Sequence, residues 1–491
     1  MPDLRQNIVF ILDDREFAGD EVRTVVGVRR FGDIIFKRHS LVERFRSNLP
    51  DWARTSLVHL RTSDELPALR AKLESSGEAG AAFVIAGRAG FSQPDRLHQL
   101  VERLPYAEDD FTDRLYKPLV VFQRNAHRLV ECWREFEESP LHTWERAWQN
   151  TLRVQSVQPL DLGKISDFLS FTCGATETRH FNQVHVDTYY YTKQSSNKAK
   201  MLEEYVFYGL VPEQMRPWLI EPFEYVDHGD SASYKMLRYY LADAALQWVH
   251  GAFDAESFAV FVDRLLFFIA QRPRKSCDKQ QAAGVARELF VDKVQSRAIQ
   301  FLAMDEGKRI NTLAACINPA LELNRQIERY QRIYQRREQE FSCDHLVVGH
   351  GDPCFSNVLY DQRSYILKLI DPKGAATEEA MWTHPLYDLC KVSHSVLGDY
   401  DFINNGLYSV SFADNIDLEL RLEHSDPRAL KAIFSQQIRA QGYDETLVRL
   451  GEASLFLSML PLHIDYPNKV IAFMVKARQI LDEVECLQGG A

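Results

Sequence analysis

The chain has 491 residues, with 58 Lys and Arg against 69 Asp and Glu and a net charge of −11, a balance that argues against a duplex nucleic-acid partner. Hydrophobic residues make up 45% and charged residues 26%, ordinary values for a globular protein, and the length allows two or three domains with their own cores. The eight cysteines are scattered without a CxxC pair, which excludes a disulfide framework or zinc ribbon and fits a reducing, cytoplasmic compartment. The apolar run 8–12 stops at Asp13-Asp14-Arg15, too short for a secretory leader, and 258–270 is broken by Asp263 and Arg264, a core helix rather than a membrane span.

Residues 1–155 read as a separate α/β domain. Apolar runs at 8–12, 22–28, 56–60, 82–86 and 118–122 alternate with helical patterns at 40–48, 63–74, 94–104 and 125–137, with Ser40 and Ser63 as expected N-caps. Such alternation predicts a mainly parallel sheet covered by helices. Asp13, Asp14 and Arg15 then fall at a C-terminal strand end, where ligands sit in such folds. A nucleotide sugar or a metal would suit that loop, but a solvated turn is the preferred reading. No Gly-rich signature loop accompanies it, and neither Asp13-Asp14 nor Asp109-Asp110 forms a D-x-D.

After a Trp-rich connector at 135–148, residues 156–240 read as a small β-rich unit. Runs at 167–172 and 179–191 flank Cys173-Gly174-Ala175-Thr176, a candidate hairpin whose Gly174 loop would cover phosphates. Lys193 follows an aromatic strand at 187–192, and the next helix carries Glu203 and Glu204. A strand lysine and a helix glutamate can form the ion pair that fixes the lysine on nucleotide phosphates. The run SYKMLRYY at 233–240 reads as a strand and hinge. From 241 to 491 the pattern is mostly helical: 241–272 with a break at 252–256, then 289–302, then a charged helix within 318–341.

The chemistry concentrates at 347–374, VVGHGDPCFSNVLYDQRSYILKLIDPKG. His350-Gly351-Asp352 is followed five residues after the aspartate by Asn357, then by a strand, a polar turn and a second strand ending at Asp371. The hairpin sets Asn357 before one strand and Asp371 after the other, so both oxygens can meet one metal ion. Phosphoryl transfer needs such a set: a carboxylate for the acceptor hydroxyl's proton and two oxygen ligands for Mg²⁺ on the phosphates.

HGDxxxxN followed by a strand ending in Asp resembles the aminoglycoside phosphotransferase and choline kinase family of small-molecule kinases. The run EYVFYGLVP from Glu204 to Pro212 is similar to that family's E-x-x-F-Y-x-x-L-P helix, which singles out Glu204 over Glu203. The resemblance covers about residues 158 to 485. It implies a bilobal, protein-kinase-like α+β fold, with a small β-rich lobe and a large helical lobe. It further implies ATP or GTP as co-substrate, Mg²⁺ on Asn357 and Asp371, Asp352 as base, Lys193 and Glu204 on the phosphates, and His350 as a brace. Asp388, in HPLYDL, would bond backbone amides of the catalytic loop. His394, Asp399 and Asp401, with Ser395, fall where an acceptor wall is expected, and His463 and Asp465 are further candidates. The partners implied are a nucleoside triphosphate and a small hydroxyl-bearing acceptor, such as a sugar, polyol or amino alcohol. The first domain's order of elements resembles nucleotidyl- and glycosyltransferase nucleotide domains, which points to a surface-polysaccharide precursor. The alternatives are a non-catalytic kinase-like scaffold, or a bifunctional protein whose first domain is itself an active transferase.

Overall fold

The computed structural model describes residues 7–36, 38–77, 80–114, 116–140, 152–154, 157–172, 182–412, 417–423 and 427–489. The chain forms two compact units, Met1–Ala175 and Thr176–Ala491. Residues 160–161 pair with 89–90 in the first unit, and Arg88 holds Asp161 through two hydrogen bonds of 2.6 and 2.8 Å. This stretch is therefore fastened to the first unit through a small two-stranded sheet of its own.

In the first unit, strand Ile8–Asp13 lies parallel to Leu57–Leu60 on one side and to Ala81–Ala86 on the other. Beyond Ala81–Ala86 the sheet turns antiparallel, through Val120–Gln123 to Phe111–Thr112. The expected mainly parallel sheet is thus mixed. Alternation along the first strand explains the layers: Ile8, Phe10 and Leu12 join Leu97, Leu100 and Val101 in one core, while Val9 and Ile11 join Leu66, Leu69, Leu73 and Phe136 in another. Both faces are covered, so Ala81–Ala86 is buried along its whole length.

Three expectations need correction here. The run 22–28 is not a strand but part of helix Asp20–Val26, with Val22, Val25 and Val26 buried at helical spacing and Gly27 ending it at φ 66°. The run 167–172 is likewise helical, within Ile165–Thr172, where Phe168, Leu169 and Thr172 face the core. The solvated turn at Asp13-Asp14 is buried instead. Arg15 grips both oxygens of Asp13 at 2.7 and 2.9 Å, while Asp14 accepts from the Gly32 amide at 2.9 Å and meets His59 Nε2 at 3.0 Å. Side chains at Gly32 or Gly87 would place a Cβ 2.4 or 2.5 Å from an Asp14 oxygen, so both glycines make room for that carboxylate. Of the two N-caps, Ser40 closes a full capping box with Glu43, whereas Thr62, not Ser63, caps the next turn.

The second unit begins with a four-stranded antiparallel sheet, in the order Asn182–Val186, Tyr190–Ser195, Ala232–Leu237, Pro222–Asp227. Its first hairpin turns at 187–189, where Asp187 Oδ1 accepts from the amides of Tyr189 and Tyr190, rather than between 167–172 and 179–191. Gly174 lies outside the described residues. Helix Lys198–Leu210 packs on this sheet through Met201, which joins Ile220, Ala232, Tyr234 and Met236 in one apolar cluster. A mainly helical body follows, in which Glu445–Met459 and Pro467–Gly489 are central. Inserted in it is the sheet Ala242–Asp243, Val358–Tyr360, Leu367–Leu369. No described helix is long and apolar enough to cross a membrane.

Candidate active site

Lys193 stands in the middle of its strand, opposite Tyr234, and reaches toward helix Lys198–Leu210. Its Nζ donates to Glu204 Oε2 at 2.7 Å and to Asp371 Oδ1 at 3.1 Å. The Tyr234 hydroxyl donates to the same Glu204 oxygen at 2.9 Å, and Lys200 Nζ lies 3.4 Å from the other. Burial works against the Lys193 charge, but Asp371 and Glu204 outweigh it and raise its pKa. The choice of Glu204 over Glu203 therefore has a geometric counterpart: Glu204 is buried and points at Lys193.

Asp371 follows the strand Leu367–Leu369, whose partner Val358–Tyr360 starts directly after Asn357. The amide of Ile370 donates to the Asn357 carbonyl at 3.0 Å, so Asn357 and Asp371 sit at the same end of this hairpin. Asp371 is a non-glycine residue at φ 54°, a backbone cost on the order of 1 kcal/mol. The turn that imposes it is held from both sides. Lys373 N donates to the His350 carbonyl and Ala375 N to the Glu203 carbonyl. A Cβ on Gly374, at φ 80°, would meet the Glu203 and Glu204 backbone at 2.7 Å, so only glycine fits. Asn357 donates its side-chain amide to the Asp352 carbonyl at 2.9 Å, which leaves its side-chain oxygen as the group to offer a cation. Two hard oxygens at one hairpin end suit Mg²⁺ shared with phosphates. Among the described residues, no cluster of three or more His, Cys, Asp or Glu could hold a metal by itself.

The catalytic-loop candidates are clamped from below. Asp388, fully buried, accepts the amides of His350 at 3.0 Å and Gly351 at 2.8 Å, and its charge is met by Arg272 at 2.8 Å. His350 is buried, and its Nδ1 accepts the Asp352 amide at 3.3 Å. Both residues thus take the bracing positions expected of them. Asp352 has its side chain 39% exposed and pairs with Lys391 Nζ at 2.9 Å. Burial would raise its pKa, but Lys391, with His350 and Lys293 further off, holds the carboxyl at about 2.

His394, Asp399 and Asp401 are all buried. The His394 ring stacks between Tyr400 and Phe456, at 4.4 and 4.2 Å, with neither nitrogen bonded, and burial holds it neutral. Asp399 is taken up by Lys431 and by Lys476, the latter at 2.9 Å. Asp401 has no full hydrogen bond on either oxygen, and burial raises its pKa to about 7. His463 packs edge-on against Phe473. Sequence reasoning missed Arg272, Lys391, Lys293 and Tyr234. Each is distant in sequence from its partner, and none belongs to a motif; only Lys391, one turn beyond Asp388 on the same helix, carried a signal that could have been read.

No family model and no curated protein matches the sequence. Among solved structures, the chain is similar to a thermostable mutant of aminoglycoside phosphotransferase APH(4)-Ia in its apo form, at 11% identity and a TM-score of 0.34, over 66% of this chain and 100% of that one. A ternary complex of that enzyme with ADP and hygromycin B gives 10% identity and a TM-score of 0.35, over 64% and 97%. A likeness of this degree assigns no role to any residue.

Proposed function

We propose that the second unit is a small-molecule kinase that moves the γ-phosphoryl group of ATP or GTP to a hydroxyl. The observation that carries this reading is the convergence of Lys193, Glu204 and Asp371 in one hydrogen-bonded set, at the hairpin end that also holds Asn357 and, five residues before it, Asp352. Lys193, oriented by Glu204, binds the α and β phosphates. Asn357 and Asp371 would hold Mg²⁺, which when bound supplies positive charge on the phosphates.

Asp352 orients the acceptor hydroxyl and receives its proton as the new oxygen–phosphorus bond forms and the bond from the γ-phosphorus to the bridging oxygen breaks, releasing the nucleoside diphosphate. A carboxyl held at about 2 is a weak base, so its main contribution is to aim the hydroxyl rather than to strip it early. The Asp388–Arg272 clamp supplies the rigidity such aiming requires.

Thermal unfolding with Mg²⁺ and ATP or GTP tests the reading. Binding to the native state raises the midpoint by mass action. The rise should require Mg²⁺ and vanish in Asp371→Ala. No rise with either nucleotide in the wild type would overturn it.

A further inference from the structure

The charges around Asp352 bear on which molecule it phosphorylates. A cationic acceptor needs ionised carboxylates free to receive it, and neither acid of the expected acceptor wall, Asp399 or Asp401, offers one. Asp399 is shared by two lysines, and Asp401 is fully buried beside Ser395, where burial raises its pKa to about 7. The groups that do face Asp352 are cations. Lys391 lies 2.9 Å from its carboxylate and cancels its charge. Lys293, the first residue of helix Lys293–Ala303, reaches the same place from another direction. Its Nζ donates to the Tyr387 hydroxyl at 2.7 Å and lies 5.3 Å from the centre of that ring. No carboxylate comes within ion-pair distance of Lys293 among the described residues, and with one N–H on the Tyr387 hydroxyl two of its three donors remain available.

We infer that the acceptor is an anion: a small hydroxyl-bearing molecule carrying a carboxylate or a phosphate, which Lys293 binds while Lys391 holds the Asp352 carboxylate in an ion pair. This rests on the kinase reading above. A buried tyrosine with Lys293 on its hydroxyl is a fixed platform, and the charges of Lys293 and Lys391 pull the Tyr387 pKa down against its burial. Positive charge beside the base favours binding of an anion and disfavours an amino sugar, whose ammonium would meet like charge with no carboxylate to offset it.

The test uses the full chain loaded with Mg²⁺ and a non-hydrolysable ATP analogue, and first records the shift the nucleotide gives. Gluconate, glucose 6-phosphate, glucose and glucosamine are then added separately at equal ionic strength, with inorganic phosphate as a fifth probe. The expected result is a further rise of about 2–4 °C with gluconate or glucose 6-phosphate, none with glucose or glucosamine, loss of the rise in Lys293→Met and its return in Lys293→Arg. Which of the two anions acts separates a carboxylate from a phosphate acceptor. A response to inorganic phosphate equal to that of glucose 6-phosphate assigns the site to phosphate recognition, still anionic. A rise with glucosamine or glucose, an anion response that survives in Lys293→Met, or no response to any probe overturns the inference while the nucleotide shift stands. Loss of the nucleotide shift itself is the separate failure of the kinase reading.

Discussion

Both units carry two aspartates near the ends of strands, and they treat them in opposite ways. In the first unit Asp13 and Asp14 are buried and saturated: a bidentate arginine takes one, a backbone amide and a histidine the other. In the second unit Asp352 and Asp371 each hold a lysine with one oxygen and keep a third or more of the side chain open. An aspartate with both oxygens engaged by the protein is held as part of the fold. One with an oxygen to spare, on a braced backbone, can take up a further partner. Position at a strand end is common to both pairs, so the state of the oxygens is what separates structure from chemistry.

The sharpest way to test that contrast is Asp352→Asn, which keeps the shape and removes the proposed base. Turnover should fall by about 10²–10⁴-fold, measured by nucleoside diphosphate release, with the fold kept and its thermal midpoint lowered because Lys391 loses the charge of its partner. Glu204→Ala strikes stability as well, because it strips Lys193 of a buried partner; a loss of about 3–5 kcal/mol is expected in urea unfolding. Asp401→Asn should act in the other direction. The Asp401 carboxyl has its pKa raised to about 7 in the fold, against about 3.9 in an unfolded chain. Below about pH 4 both states hold the proton; between about 4 and 7 only the folded state does, so wild-type stability declines as pH rises and levels off above 7. Asparagine does not titrate, so the variant's advantage over wild type should grow across that window to at most about 4 kcal/mol. Denaturation midpoints at pH 4.5, 6 and 8 measure it. The smallest effect is expected in the first unit: Asp14→Ala leaves the Gly32 amide and His59 without their acceptor, at about 2 kcal/mol, while kinase turnover is unchanged. A turnover loss there equal to that of Asp352→Asn would break the distinction between the two pairs.

What the sequence disclosed and what it hid divide along the same physical line. Asp352, Asn357 and Asp371 share one short hairpin, and Lys193 and Glu204 are eleven residues apart, so local spacing carried them. Lys391 meets Asp352 and Arg272 meets Asp388 across 39 and 116 residues, and a lysine or arginine on a helix reads as solvated until the fold is known. The short apolar runs 22–28 and 167–172 failed for another reason: over six or seven residues a buried strand and one face of a helix have nearly the same composition. The burial of Asp14 was hidden too, since it depends on two glycines whose only message is the absence of a side chain.

The contact at Gly374 has a mechanical consequence. With Ala375 bonded to the Glu203 carbonyl and Lys193 bonded to both Glu204 and Asp371, an outward swing of helix Lys198–Leu210 breaks its bonds to the Asp371 turn and to Lys193. The position of that helix and the position of Asp371 are therefore coupled, and a shift of one is felt by the other.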